Sequence, residues 1–435
     1  MTVRSQFISR AFFITILFAF AFQCKMAELN NPGDPLSKEF AKQSVFAEFV
    51  RYFLIEKALP EALAVALKKS TVPYEAGIRV YRVDSEIGVI DDYVSDIRAA
   101  SSSAFPGCSP YRIGVPPSSR DIITFTDYPS NRIVVHRYGT DRSLNLIEDQ
   151  PSIGNPRVMG FSTDGMTIYQ VNSASSPVTI NRWSRNPLSG SLSANNVGSY
   201  PYSVGCGPVA VRASDNDDLI FTLSTTIIPF GINVHKKTGI DNVTMVGGTP
   251  VTLPDNPSFL ENLCIVESKR LLYGTSINST YPIYGYRYDN SGALTLLPGS
   301  PFSPDPSFSA HIPNLNSSTS LAVDPTGNYA AFLYQTGATY NIRLLQIDSS
   351  SGNLIQTNQK FTAGNGPNAL QWDKSGKFVY FTSDTGGTTN NYQIEYFMLS
   401  PDGTLSKGQN SPVIISPMAN GYAPQDIKPI QRYYH

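Results

Sequence analysis

Side chains able to move a proton near neutral pH are scarce in this sequence. It has four histidines in 435 residues: His136, His235, His311 and His435. No two stand four residues apart and none has a cysteine near it, so their spacing offers no zinc site. His136 and His235 fall at matching places in VVHRY and NVHKK, which marks them as structural polar positions. His435 is the last residue, and His311, within SFSAHIPNLNSS, is the candidate general base. A second kind of chemistry follows prolines. Pro156-Arg157 supplies a cation that can hold an anion. Pro110-Tyr111-Arg112, Pro367-Asn368 and Pro424-Gln425 supply hydrogen-bonding groups, whereas Pro208 is followed by Val209. A tyrosine with an ordinary pKa of about 10 binds better than it transfers protons at pH 7. SDNDDL (214–219) has the oxygen density of a calcium loop, but Asp and Asn are ordinary turn residues, and a solvated turn is expected. No metal and no cofactor is expected.

The elements that must position these groups are strands. Charged residues make up 15% of the chain, and Gly and Pro number 32 each, a turn-rich and β-leaning composition. From about residue 74 one pattern recurs: an apolar run, a tight polar turn, and a second apolar run. GPNALQWDKSGKFVYFTSD (366–384) is one copy. GNPRVMGFSTDGMTIYQVN, TSLAVDPTGNYAAFLYQT and GPVAVRASDNDDLIFTLS repeat it, and the stretches from Leu260 and Cys108 are looser copies. Gly165, Gly327 and Gly376 stand where such a turn needs positive φ. Each pair is followed by an alternating strand, a turn with Asp or Ser and Gly, and a short edge. RIVVHRYGTDRSLNLI and NIRLLQIDSSSGNLI are examples. Together these make a four-stranded antiparallel blade with a period of about 45–60 residues.

The ends complete the count. GIRVYRVDSEIGVI (77–90) reads as a seventh second unit with no first unit before it, and YAPQDIKPIQRYYH (422–435) as a seventh first unit. Joining them into one blade removes two exposed edges. The sequence therefore predicts an all-β, seven-bladed β-propeller over 74–435, closed by a blade shared between the two ends.

At this point the chain resembles the lactonase-family propellers, of which 6-phosphogluconolactonase is a member. The resemblance rests on the D-x-x-G hairpin, the second unit with its D-x-x-x-G-x-L turn, and LPGSPF (297–302), and it covers roughly residues 74–435. It implies a ligand at one mouth of a central channel, ringed by the loops that enter each first strand. It also implies Pro-Arg and Pro-His steps in those loops. This chain keeps Pro156-Arg157 and has no Pro-His step. Tyr111, Arg112, Arg157, Asn368 and Gln425 are the expected ligand-binding residues, with Arg157 and His311 the catalytic candidates if any hydrolysis occurs. The expected role is a non-catalytic binding or scaffold module; the alternative is a sugar-lactone hydrolase with a degenerate site. The ligand is a small molecule or a protein at the channel mouth.

The N-terminal region reads differently. Arg4 and Arg10 flank the start of AFFITILFAFAF (11–22), too short to cross a bilayer and of signal-peptide length. Either Ala19-Phe20-Ala21 is a cleavage site, or Cys24 is the lipid-bearing first residue of a lipoprotein, AFQC resembling a relaxed spirochaetal lipobox. Residues 1–23 are thus expected as a signal peptide and 24–70 as a lipid-anchored tether, placing the protein in the cell envelope or outer membrane. Within the tether, Asp34-Pro35 starts a helix with an apolar stripe of Phe40, Phe46, Phe49, Val50, Phe53 and Leu54, and EALAVALKK (61–69) reads as a second short helix. Cys108 and Cys206 fall at equivalent places two blades apart, too distant for a disulfide, and Cys264 reads as core. Net charge is −1 with no basic block, so nucleic acid is not an expected partner, and a monomer is.

Overall fold

The computed structural model describes residues 60–69, 76–84, 87–98, 110–117, 119–126, 132–152, 156–172, 179–195, 208–213, 219–224, 231–238, 243–247, 251–252, 260–276, 282–306, 308, 320–384, 392–415 and 422–431. They form seven antiparallel sheets, each with a four-strand path. Neighbouring sheets touch through their innermost strands, and the last touches the first, so the blades close into a ring.

Six blades follow in chain order. Their inner strands are Pro110–Gly114, Pro156–Phe161, Pro208–Ala213, Leu260–Val266, Leu321–Val323 and Asn365–Trp372, in blades 1 to 6. The D-x-x-G hairpins join inner to second strands as the pattern predicts. Gly165, Gly327 and Gly376 sit at φ 68°, 70° and 71°, a region other residues enter at a cost. Their aspartates close the turns. The Asp373 carboxylate accepts the Phe378 N–H at 2.8 Å and the Ser375 N–H at 3.2 Å. Second strands are buried along most of their described length, wholly so in Leu271–Ser276, because sheets cover both their faces.

The closing blade departs from expectation in two ways. EALAVALKK is not a helix: Pro60–Lys69 is a strand, pairing with Ala76–Val83 on one side and Tyr422–Gln431 on the other. Ala62, Ala64 and Ala66 pack with Ile113 and Ile122 of blade 1, while Leu63, Val65 and Leu67 pack with Phe378 and Tyr380 of blade 6. A strand buried on both faces loses its alternation, and Ala and Leu then look helical; burial between two sheets overrides that propensity. The propeller thus begins before residue 74, in a compact unit spanning Ala58–His435. In addition, the C-terminal segment supplies one strand of the shared blade, not two. The sheet order is Tyr422–Gln431, Pro60–Lys69, Ala76–Val83, Ile90–Arg98, a one-plus-three closure. The expected first helix, Cys24, Cys108, Cys206, His311 and most of SDNDDL lie outside the described residues.

Candidate functional site: the central channel

In every blade but the fifth the ladder of the inner strand slips near its start. In blade 2, Pro156 pairs with Asn172 and Val158 with Val171, so Arg157 is an extra residue. In the closing blade, Pro424 pairs with Leu67 and Asp426 with Ala66, which makes Gln425 the extra residue. Val209 and Glu261 are the extra residues of blades 3 and 4. In blade 1 the steps from Pro110 to Ile113 face only those from Thr126 to Thr124, so Tyr111 or Arg112 is extra. Asn368, paired with Thr382, lies between two such slips in blade 6. Blade 5 pairs without a slip along Leu321–Val323. A bulge bends its strand and re-aims the residue it frees. Tyr111, Arg112, Arg157, Asn368 and Gln425 thus each fall at or beside a ladder slip of an inner strand. His311 is outside the described residues, and its convergence with Arg157 is not among the geometry seen.

Two of these side chains are described. Asn368 is buried, and its Oδ1 accepts the Ala369 N–H at 2.8 Å while Ala369 takes a left-handed φ of 59°. A non-glycine residue there is strained, a feature that concentrates at ligand sites. Gln425 is half-buried, and its Nε2 donates to the Pro424 carbonyl at 3.3 Å. The entry loop of blade 6 is itself fastened. Buried Glu395 accepts the Gly364 N–H at 2.7 Å and the Ser383 hydroxyl at 2.6 Å.

Below this level lies a tier the sequence reading missed. Asp426 Oδ2 accepts the Ile113 N–H of blade 1 at 3.1 Å. Lys428 Nζ donates to Asp426 Oδ1 at 3.0 Å and to Gln371 Oε1 of blade 6 at 3.1 Å. Asn262 Nδ2 of blade 4 donates to the Leu321 carbonyl of blade 5 at 2.6 Å. Cys264 is buried there, as expected of a core residue, and its Sγ lies 3.2 Å from that same carbonyl. Burial pushes the Cys264 thiol up, and the Arg212 and Lys428 charges pull it partly back. A signal for this tier existed. Arg212, Gln371 and Lys428 each stand four residues after the entry prolines Pro208, Pro367 and Pro424.

The two described histidines are elsewhere, in third strands, and both are buried. Burial holds both imidazoles down to about 4, with Asp149 partly opposing at His136. Both are thus neutral in the fold. Between pH 6.5 and 4 the unfolded chain takes up protons that the fold refuses, so stability is complete above 6.5 and falls as pH falls through this window. Each histidine contributes about 3 kcal/mol of that loss at pH 4. Asp373 works the other way: burial raises it to about 6, and its protonation in the fold returns a similar amount below that. Two histidines outweigh one aspartate, so urea unfolding should show a net fall of about 3 kcal/mol. The fall should flatten in His235→Gln. A profile level from pH 6.5 to 4 would contradict it.

The sequence matches no protein-family model and no curated protein sequence. Solved structures do resemble it. The periplasmic gluconolactonase of Pseudomonas aeruginosa aligns with a TM-score of 0.64 at 16% identity, over 84% of this chain and 98% of that one. A candidate 6-phosphogluconolactonase from Bacteroides fragilis aligns at 0.61 and 15%, over 85% and 98%. Another from Bacteroides uniformis aligns at 0.59 and 14%, over 85% and 100%. This chain has their fold. The likeness expected from the hairpin and second-unit motifs holds for the seven-bladed architecture, and at these identities it extends no further than the fold.

Proposed function

We propose that this lactonase-like propeller is a binding module that holds a small polyhydroxylated molecule at the mouth of its channel without hydrolysing it. The observation that carries this reading is the level of ladder slips. The residues at or beside those slips, Tyr111, Arg112, Arg157, Asn368 and Gln425, are hydrogen-bonding and cationic groups rather than proton carriers at neutral pH. Polyols and sugar acids suit such a set, since each hydroxyl can both donate and accept. Arg157→Ala should weaken binding by roughly tenfold to a hundredfold, the worth of a hydrogen bond to a charged group. Unchanged affinity in Arg157→Ala and Asn368→Ala would place the ligand elsewhere.

The names of the structural neighbours favour a second reading, a hydrolase of sugar lactones. Arg157 would then hold the developing negative charge and His311 the proton. Loss of an essential proton carrier costs about 10²–10⁴ in rate, so His311→Ala would remove turnover.

We also propose export, with Cys24 as the lipid-bearing residue, from the charged and apolar pattern of residues 1–24. Cys24→Ala should abolish fatty-acid labelling and detergent-phase partitioning. A water-soluble mature protein beginning at Phe22 would contradict the lipid anchor.

A further inference from the structure

Blade 4 breaks the hairpin rule at one residue. In blades 2, 5 and 6 the turn between the first two strands puts Gly165, Gly327 or Gly376 at positive φ. In blade 4 that place belongs to Arg270, at φ 53°. Its N–H donates to the Glu267 carbonyl at 3.0 Å, as the Gly327 N–H donates to that of Asp324 at 2.9 Å. A side chain held in the left-handed region costs stability, and such strain gathers at ligand sites. The Arg270 guanidinium makes no hydrogen bond or ion pair with the described residues, so it does not repay that cost within the fold.

Arg270 lines an open cleft of about 360 Å³ with Lys269, Arg287, Tyr288, Asp289 and Thr295. Uncharged groups hold the other two cations in place. Lys269 Nζ donates to the Gly327 carbonyl of blade 5 at 2.7 Å and to Asn328 Oδ1 at 3.2 Å. Arg287 donates to the carbonyls of Lys269, Ser350 and Ser351, each at 3.2 Å. Among the described residues no ion pair joins any of the three to a carboxylate. Asp289 is engaged in its own turn, where Oδ1 accepts the Ser291 N–H at 2.8 Å and the Ala293 N–H at 3.0 Å. The cleft belongs to the hairpin end of the ring. There Gly165 abuts Pro117, Gly327 abuts Ser268 and Gly376 abuts Pro325 of the neighbouring blades. The closing blade joins the same face. Glu61 accepts Arg120 Nη2 of the blade 1 hairpin at 2.8 Å, and Pro60 pairs with Gln431 at the far end of the inner strand. The chain therefore enters the propeller on this face.

We infer that this cleft is a phosphate-binding site for the headgroup of an anionic lipid, seating the hairpin face of the propeller on a membrane surface. Its orientation rests on the lipid-anchor reading, since the chain carrying Cys24 joins here; its charge does not. A guanidinium fork matches a phosphodiester, and an ammonium adds a point charge. Each cation near an anionic surface strengthens attachment about fivefold. The entry loops, at the other end of each inner strand, then face away from the membrane.

The test sediments the full chain with phosphatidylcholine vesicles, with and without phosphatidylglycerol, at low and high salt. An acyl anchor enters both kinds alike, so the gain on adding phosphatidylglycerol reads the cations. That gain should shrink as salt rises. Arg270→Gly and Arg287→Gln should each reduce it about fivefold, while Arg270→Lys should retain it. Arg270→Gly also restores the hairpin glycine, so its melting temperature should hold or rise, which an arginine kept for structure would not allow. Should Arg287→Gln not fold, Arg270→Gly decides. A gain that Arg270→Gly leaves intact overturns the site. Equal binding to both kinds of vesicle overturns the site and leaves the anchor standing, whereas a phosphatidylglycerol gain without fatty-acid labelling of Cys24 keeps the site and overturns the anchor. Inorganic phosphate that binds the chain saturably by calorimetry, and releases it from the vesicles at matched ionic strength, would assign free phosphate and overturn the lipid.

Discussion

Deletion of residues 422–435 will abolish cooperative unfolding. Tyr422–Gln431 is the innermost strand of the closing blade and the link that makes an open row of sheets a ring. Its removal strips the ladder from Pro60–Lys69, whose other faces are already committed to blades 1 and 6. Ile427 and Ile430 are fully buried, and each contributes about 1.5–3 kcal/mol through burial alone. The inter-blade bonds from Asp426 to Ile113 and from Lys428 to Gln371 go with them. What remains is an apolar strand with unpaired N–H and C=O groups, a template for other chains. The shortened chain should aggregate or melt broadly, and a synthetic 422–435 peptide added in trans should restore a sharp transition. A shortened protein that melts like the whole chain would show that the ring does not depend on this strand.

Asp121→Ala should cost about 3–5 kcal/mol, the usual penalty for taking one partner from a buried ion pair. Asp121 is fully buried at the contact between blades 1 and 2. Its carboxylate holds two guanidiniums. Arg137 of the same blade donates from Nε at 2.6 Å and from Nη2 at 3.0 Å. Arg185 of blade 2 donates from Nε at 3.1 Å and also from Nη2. Ser119 Oγ accepts the Asp121 N–H at 2.9 Å and Arg185 Nη2 at 2.7 Å, tying the Asp121 backbone to the Arg185 guanidinium beside the ion pair. Without Asp121, a buried Arg185 keeps its charge and loses its counter-ion. Urea unfolding measures the loss, and a change below about 1 kcal/mol, the range of surface pairs, would mean that water reaches the site. Replacing Arg137, whose side chain is more exposed, should cost less.

How far the sequence reveals this molecule depends on the range of each interaction. The D-x-x-G hairpins are legible because their cause is local: an aspartate accepts amides two to five residues on, and a glycine takes positive φ. Repetition of that local signal yields the blade count. EALAVALKK misleads because one of its two partner strands, Tyr422–Gln431, lies more than 350 residues away, although Ala76–Val83 follows close behind. Nothing within nine residues distinguishes a doubly buried strand from a short helix. The same distance hides the one-plus-three closure. At the mouth, prolines point to Arg157, Asn368 and Gln425, but the ladder slips that gather them depend on register with a second strand, which no spacing displays. The deeper tier of Arg212, Gln371 and Lys428 follows a simple step of four from those prolines. Its meaning emerges only when the blades stand around one channel.

The most direct test of a binding rather than hydrolytic channel is calorimetric titration of D-glucono-δ-lactone into the full chain. A binding module gives heat that saturates and then ceases, with no continuing release beyond lactone in buffer, and Arg157→Ala weakens the saturable phase. Sustained heat above buffer after every injection, lost in Arg157→Ala and His311→Ala, would contradict the binding account and make the protein a lactonase.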